Sequence, residues 1–389
     1  MRPINPLKIV SEKSFFTFFF ILMSIVYIPI EGEAISMLKV FVLAFSSLFL
    51  IIGFKLSKVL TLCTLYWLSC LFFAQLHLHS FRWSTILYLG LFLTGFSAYI
   101  NAVYAGAFTK EYFLRLLKGL IYAYFVALII QQFYSLLLGG SRMLLLNYTG
   151  VEGKPNMLSL EVSHAARIIA AFMLCVVRLY ELDYGRKLTI KEIYECDKWL
   201  LLIFIYIMIT MGSGTAIMAL VILSLYFMSA RNAIIVFIAL IISYSLTDYI
   251  DYEPLQRAKV TFEASLTGDK RNIGRADGSA AYRVIPLLNT FFHLDLTSSH
   301  TWIGKGIDTG YNTDLFLGTK YVGTLADYGL ISYALSLSIF FVICVRKVFS
   351  IETLFFIFIC LTNISNVAFY WAIYMSFATV YYFQKNENV

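Results

Sequence analysis

Apolar blocks of roughly twenty residues alternate with short polar stretches along most of the chain. Such blocks carry few or no charges and have the length that an α-helix needs to cross a bilayer core of ~30 Å. The pattern predicts about twelve spans, with the approximate limits 15–30, 34–53, 59–76, 83–103, 112–138, 158–177, 199–212, 215–230, 232–248, 323–345, 349–364 and 367–383. The two blocks around residues 212–215 are short, so we expect between about ten and fourteen spans.

The composition agrees with an all-α polytopic membrane protein and excludes an ordinary soluble chain. Of the 389 residues, 60% are hydrophobic and only 14% are charged. The first block resembles a secretion signal, but it lacks a small-residue cleavage site and more spans follow it, which favours a retained helix. We therefore expect residues 1–389 to form a single membrane domain.

The net charge of +7 does not indicate a nucleic-acid partner, because most basic residues lie between the apolar blocks. Lysine and arginine in short loops collect on the cytoplasmic side of a membrane and thereby set its topology. With the N-terminus inside, most of these residues fall on the cytoplasmic side. The charge bias predicts that both termini are cytoplasmic.

This topology places two loops on the outer, periplasmic side: a smaller one at 139–157 and a large one at 248–322. The large loop is far longer than an ordinary connection, which favours a functional role or an independent fold. A solvated, mobile loop is the alternative that stays open. Its eight Lys/Arg are offset by nine Asp/Glu, but "GDKRNIGRADGSAAYR" concentrates four basic residues among glycines.

Three ionisable residues open the span at 158–177, in the stretch "NMLSLEVSHAARIIAAFMLCVVRLY". Spacings of three make Glu161 a helical neighbour of His164, and His164 a neighbour of Arg167. Arg167 is then no more than ~13 Å further into the membrane at 1.5 Å per residue. An arginine there faces the bundle interior or a wet cavity. Two interpretations stay open, an internal Glu–Arg pair that holds helices together and a functional polar site open to the outside.

Other candidate chemistry is sparse. Asp327 is an acid inside the apolar outer end of a span, where it could pair with Arg167 or line the same cavity. His77 and His79 are weak metal candidates, and the six cysteines show neither CxxC spacing nor a disulfide framework. A GxxxxGK[ST] phosphate loop is absent from the sequence. We therefore predict no metal and no cofactor.

Arginine on the outer side suits a lipid-linked phosphate, because its guanidinium binds phosphate oxygens bidentately and stays charged. A carboxylate or imidazole beside it can take a proton from an attacking hydroxyl. Nucleotide sugars and ATP are absent outside the inner membrane, so glycosyl transfer there requires a lipid-linked donor. Arginines can neutralise the departing pyrophosphate in place of a metal.

Four local motifs, in this order along the chain, resemble those of the bacterial O-antigen polymerase and ligase superfamily, in particular its Wzy-type polymerases. "LEVSHAAR" is similar to an "EPS" element that opens a helix, with Val162 in place of proline. "ITMGSGTAIMAL" resembles an "SRTG"-like helix start, with Gly214 where arginine is common. "GSAAYR" followed by "WIGKGIDTGYNTDLF" resembles the arginine and Gly-x-Gly segment of the large loop. "VGTLADYGLISYAL" is similar to the "L-x-E-x-G-L-x-G" helix, with Asp327 at the acid.

The resemblance implies a GT-C-like glycosyltransferase of lipopolysaccharide biosynthesis in the bacterial inner membrane. It would transfer a growing glycan from undecaprenyl pyrophosphate onto the non-reducing end of a lipid-linked repeat unit. Glu161 or His164 would be the base, and the arginines would hold the pyrophosphate. Arg167 and Arg283 come first because Gly214 removes the usual arginine, and the weaker candidates are Arg142, Arg257, Arg271 and Arg275.

The supporting residues implied by the same resemblance are Asp327, His300, Tyr282 and Tyr311. The implied partners are undecaprenyl-pyrophosphate-linked oligosaccharides and membrane lipids, with room for a chain-length regulator protein. Two alternatives stay open. An O-antigen ligase shares the fold, although the His-Asn pair usual in ligases is replaced here by Asn312, Thr313 and Asp314. A lipid-linked sugar flippase is disfavoured because the charges gather at one end of the spans and one loop dominates.

Overall fold

The structure is a computed structural model of the chain. It describes residues 6–25, 37–52, 58–76, 82–137, 155–159, 161–228, 294–306, 323–361 and 371–386, with isolated positions between 238 and 292. The helices in these ranges are α1 (Pro6–Ser24), α2 (Met37–Ile52), α3 (Lys58–Leu76), α4 (Trp83–Tyr104), α5 (Lys110–Leu137), α6 (Val162–Tyr184), α7 (Ile190–Cys196), α8 (Lys198–Thr210), α9 (Gly214–Phe227), α10 (Ser299–Ile303), α11 (Gly323–Cys344), α12 (Ile351–Leu361) and α13 (Trp371–Asn386).

The described residues are helical and contain no β-strand, as the apolar pattern predicts. Four helices are long and apolar enough to cross a membrane, namely Trp83–Tyr104, Lys110–Leu137, Val162–Tyr184 and Leu325–Cys344. Six shorter apolar helices accompany them. The all-helical fold is therefore confirmed and indicates a multi-pass membrane protein. The number of twelve spans and their orientation stay predictions.

Helix α6 extends beyond its predicted apolar block, because its polar last turns are held by side-chain contacts. Arg178 donates to Glu181 at 2.7 Å and to the hydroxyl of Tyr226 at 2.8 Å. Tyr226 donates in turn to Glu181, which also accepts the backbone N–H of Leu188 at 3.1 Å. The helix ends at Gly185, whose φ of 64° is the left-handed conformation usual after a helix C-terminus.

A short helix that the apolar pattern does not predict, α7, follows α6. It begins with a capping box, in which the Thr189 side chain accepts the N–H of Glu192 and the Glu192 side chain accepts the N–H of Thr189. Arg186 holds the same Glu192 carboxylate at 3.2 Å. These local bonds account for a helix of seven residues between the apolar helices α6 and α8.

The chain divides into two compact units, and the boundary at residue 94 lies within α4. Unit 1 comprises Met1–Leu56, Thr94–Phe227 and Ala368–Val389. Its central element is α6, which is buried along most of its length and packs against α5, α8, α9 and α13. The ring of Phe20 contacts those of Tyr99, Phe113 and Phe172 at centroid distances of 6.1, 5.3 and 6.0 Å.

Unit 2 comprises Ser57–Leu93 and Met228–Val367. Here α11 packs against α3, α10 and α12. The hydroxyl of Ser332 in α11 donates to Ser69 in α3 at 3.0 Å, and the indole N–H of Trp67 in α3 donates to the Ile86 carbonyl at 3.0 Å. The expectation of a single membrane domain stays a prediction.

Candidate functional site

The first residue of the candidate site, Glu161, caps the N-terminus of α6. Its backbone is extended (φ −132°, ψ 152°), and its carbonyl accepts the N–H groups of His164 at 3.0 Å and Ala165 at 3.2 Å. Its side chain is exposed, and one carboxylate oxygen accepts the hydroxyl of Ser163 at 3.2 Å. The backbone therefore starts the helix here while the carboxylate remains accessible.

The other two residues of the stripe lie further along the same helix. His164 is half-buried, and Arg167 is only 1% exposed. Six residues at ~1.5 Å each put Arg167 about 9 Å along the helix axis from Glu161. The buried neighbours Ala165, Ala166 and Ile168 make this part of α6 otherwise apolar. A guanidinium enclosed in a membrane helix is costly, so such residues are functional candidates by default.

The segment Pro155–Ser159, which leads into α6, is packed into unit 1 and carries its own polar contacts. Gln131 of α5 donates its amide to the Asn156 side-chain oxygen at 3.0 Å and accepts the Met157 N–H at 2.8 Å. Met157 has the left-handed φ of 53° that a non-glycine residue seldom adopts. The buried amide of Gln131 thus bonds both to the backbone of the turn at Met157 and to the side chain of Asn156 before it. We call residues 155–159 the entry segment.

A second contact fixes the end of the entry segment. The hydroxyl of Tyr124 in α5 lies 3.1 Å from that of Ser159 and donates to the Ser24 carbonyl at 2.6 Å. Sequence reasoning did not single out Gln131, Asn156 or Tyr124. The available signal was a glutamine inside an apolar block, since a buried amide in a membrane helix needs hydrogen-bond partners.

Several predicted site residues lie outside the described residues, and their predicted roles stay predictions. They are Arg283, Arg142, Arg257, Arg271, Arg275, Tyr282 and Tyr311. The structure brings Glu161, His164 and Arg167 onto one helix start in unit 1. Asp327 and His300 belong to unit 2.

In unit 2, two glycines join α10 to a break in α11. Gly329 interrupts α11 with φ 82° and ψ 175°, and Gly304 ends α10 with φ 84° and ψ 178°. Only glycine adopts this backbone region readily. A Cβ added to Gly304 would collide with the Asp327 carbonyl, and one added to Gly329 would collide with the Trp302 carbonyl. We call this reciprocal backbone contact the glycine clasp.

Backbone hydrogen bonds complete the glycine clasp. The N–H of Lys305 donates to the Ala326 carbonyl at 2.8 Å, and that of Gly306 donates to the Asp327 carbonyl at 3.1 Å. The Gly304 N–H donates to the His300 carbonyl at 2.9 Å. The backbones of the "WIGKG" and "ADYG" motifs are thus joined directly, which their separation in sequence does not reveal. Asp327 is half-buried at this junction, and His300 is exposed.

Within the described residues, no group of three or more His, Cys, Asp or Glu side chains is placed to hold a metal ion. Glu161 and His164 are the candidate proton-transfer groups of the α6 stripe. Their chemistry is that of a carboxylate, an imidazole and a guanidinium spaced along one helix start.

Comparison with known proteins leaves the family open: no protein-family model, curated protein or solved structure matches the chain.

Proposed function

We propose that the chain is an O-antigen or related polysaccharide polymerase of the bacterial inner membrane. About twelve spans with both termini cytoplasmic would place the start of α6 and the large loop on the periplasmic side. The proposal is supported by the motif resemblance and by one observation of geometry. An exposed carboxylate at Glu161 and a buried guanidinium at Arg167 share the start of one helix.

The reaction joins two lipid-linked glycans. A hydroxyl at the non-reducing end of a repeat unit attacks the anomeric carbon of the growing glycan on undecaprenyl pyrophosphate. The new glycosidic C–O bond forms as the bond from the anomeric carbon to the pyrophosphate oxygen breaks. Glu161 accepts the hydroxyl proton, and undecaprenyl pyrophosphate leaves with the bonding electron pair. Arg167 and Arg283 stabilise the negative charge on that leaving group.

Burial favours Glu161 over His164 as the base. A general base must reach the proton that it removes, within ~3 Å or through one water. The Glu161 side chain is exposed, whereas His164 is half-buried one turn further along α6. We assign His164 to a positioning role beside the carboxylate.

Arg167 requires one conformational step in this mechanism. At 1% exposure, its guanidinium is covered by protein atoms. We propose that donor binding shifts the entry segment, which leads directly into α6, and that pyrophosphate then reaches Arg167. Two bonds to Gln131 and one to Tyr124 hold this segment in the structure described. Hydrogen bonds of this kind contribute ~1 kcal/mol each, so binding energy can offset their loss.

The most direct test uses the purified protein in detergent with lipid-linked repeat units and no nucleotide. We expect a ladder of lipid-linked glycans that differ by one repeat. The Lys191→Ala variant serves as a control, because this exposed lysine is paired only at 3.9 Å with Glu195 in α7 and its loss should leave the ladder unchanged. Failure to elongate under any detergent condition that preserves the fold would contradict the proposal.

Cells that lack the protein distinguish polymerase from ligase. Loss of a polymerase leaves lipopolysaccharide with a single repeat, while loss of a ligase removes O-antigen from lipopolysaccharide altogether. We expect the single-repeat product. Accumulation of lipid-linked repeats on the cytoplasmic face would instead identify a flippase.

A further inference from the structure

An apolar face in unit 2 is left exposed beside the glycine clasp. It consists of Phe292, Leu296 and Trp302, whose exposed fractions are 75, 55 and 42%. We call these three residues the loop face. They lie near the end of the predicted large loop. Large apolar side chains that stay exposed within one short stretch of the chain favour a surface that meets a partner or a membrane.

Local hydrogen bonds hold two of these residues in place. The indole N–H of Trp302 donates to the Leu296 carbonyl at 2.8 Å, which ties the ring to its neighbour. Asp295 accepts the N–H and hydroxyl of Thr297 at 2.9 and 2.6 Å, and its carbonyl accepts the Thr301 hydroxyl at 2.6 Å. Because its N–H is already bonded within the protein, the Trp302 ring can enter an apolar medium without leaving a hydrogen-bond donor unsatisfied.

The glycine clasp sets the depth of the loop face relative to the membrane. The Trp302 carbonyl packs directly on Gly329, which is four residues inside the apolar span Leu325–Cys344. Four residues cover ~6 Å in a helix and at most ~13 Å when extended. Trp302 therefore lies within a turn or two of the end of a membrane span. Tryptophan is enriched at this level, between headgroups and acyl chains.

A second exposed tryptophan of unit 2 lies at a similar level. Trp83 is 59% exposed and begins α4. It is three residues from Ile86, which accepts the Trp67 indole N–H from α3. Gly329 is likewise three residues from Ser332, which bonds to Ser69 of α3. Both tryptophans thus lie within about two helical turns of one level of α3.

We propose that the loop face lies in the membrane interface, with Trp302 and Leu296 among the phospholipid headgroups and upper acyl chains. In the proposed topology this is the outer leaflet. The polar side of the same segment, with Asp295, Thr297 and His300, faces water. Hydrogen bonds from Thr297 lower the pKa of Asp295, which agrees with an ionised carboxylate on that side. The end of the large loop is then anchored to the bilayer through the glycine clasp.

Tryptophan fluorescence in nanodiscs of phosphatidylethanolamine and phosphatidylglycerol tests this anchoring without any substrate. The chain has five tryptophans, so the difference between the native protein and Trp302→Phe isolates Trp302. We expect this component to be quenched by lipids brominated near the headgroup, more strongly than by lipids brominated near the chain end. Trp371, which is 2% exposed, provides the control, because Trp371→Phe should leave the absolute intensity lost to the brominated lipid unchanged. Quenching of Trp302 by aqueous iodide but by neither brominated lipid would overturn the proposal, and would leave the face free for a glycan.

A second pair of variants tests the role of the clasp in setting the depth. Gly304→Ala places a Cβ against the Asp327 carbonyl, whereas Gly106→Ala has the same kind of positive φ (83°) and nothing within 4 Å. We expect Gly304→Ala to lose the lipid-quenched component, while Gly106→Ala keeps it. Equal quenching in both variants would contradict an anchor that is set by the clasp. Quenching is measured without substrate, so it is independent of glycan elongation. A polymerase without the anchor would elongate glycans but lack the lipid-quenched component, and an anchored protein of another function would show quenching without elongation.

Discussion

The two ends of α6 both carry charged residues, but different contacts surround them. At its last turns, opposite charges meet directly, as Arg178 does with Glu181 at 2.7 Å and Lys110 does with Asp183 at 2.7 Å. At its first turns, the hydrogen bonds that pack the entry segment come from neutral groups, namely Gln131 and Tyr124 of α5. There the acid Glu161 is exposed while the arginine six residues on is buried.

This difference separates a structural arrangement from a candidate for chemistry. A buried charge that is paired and hydrogen-bonded stabilises its surroundings, and removal of one partner is expensive. An exposed carboxylate at a helix start contributes little packing, which fits the role proposed for Glu161. Substitution of matching residues at the two ends of α6 therefore separates activity from stability.

The largest contrast is expected between the two glutamates. Glu161→Gln removes the proposed base, and loss of a general base lowers kcat by ~10²–10⁴-fold. Glu181→Gln should keep elongation but lower the free energy of unfolding by ~2–3 kcal/mol, because it weakens charged hydrogen bonds to Arg178 and Tyr226. Elongation rates and thermal midpoints of both variants, measured in the same detergent, check this prediction.

The same pair of measurements decides the role of His164. If Glu161 is the base, His164→Gln retains much more activity than Glu161→Gln does. The reverse order would transfer the proton-accepting role to the imidazole. Equal activity of Glu161→Gln and the native protein would exclude the start of α6 as the catalytic site.

The two arginines should show the same contrast as the two glutamates, with loss of activity at the first turns of α6 and loss of stability at its last turns. Arg167→Ala removes a donor to the leaving pyrophosphate, and loss of one such group costs ~10²–10³-fold in kcat. Arg178→Ala removes contacts to Glu181 and Tyr226 at the other end of α6, so we expect lower protein stability with elongation within a few fold of native. Glycan ladders on gels at matched protein levels give the readout. Long ladders with Arg167→Ala would show that this guanidinium only holds helices together.

A smaller effect is expected at the entry segment, where one substitution should change both the stability of the protein and its affinity for the donor. Gln131→Ala removes the acceptor of the Met157 N–H in a buried turn, at a cost of ~1–2 kcal/mol. If the segment must move to expose Arg167, the variant should bind the lipid-linked donor at least as well as the native protein despite its lower thermal midpoint. A donor affinity that falls in parallel with stability would contradict the proposed movement. Gln132→Ala is a useful neighbour control, since Gln132 accepts an exposed bond from Tyr206 at 2.8 Å.

The sequence predicted most of the described helices, because apolar blocks of membrane length have few alternatives to a helix. It missed the last turns of α6 and the whole of α7, where ion pairs and a capping box replace apolar burial. It placed Glu161, His164 and Arg167 on one helix start, since spacing along a helix is local. It could not predict the contacts of Gln131 or the glycine clasp, because these join residues that are distant in sequence.

The smallest expected effect concerns α7, beyond the last turns of α6, where an ion pair between Arg186 and Glu192 lies at the surface. Hydrogen bonds from Arg186 and Thr189 lower the pKa of Glu192 to about 2. A carboxyl with a lowered pKa in the folded state stabilises that state above its unfolded pKa of ~4.3. The contribution is then lost as pH falls from about 4.3 towards the folded value. We expect the thermal midpoint of the native protein to drop more between pH 6 and pH 3 than that of Glu192→Gln. The control Glu195→Gln should follow the native protein, because the lysine partner of Glu195 lies 3.9 Å away at a solvated surface. Identical pH profiles for all three proteins would mean that the capping box, rather than the charge on Glu192, holds α7.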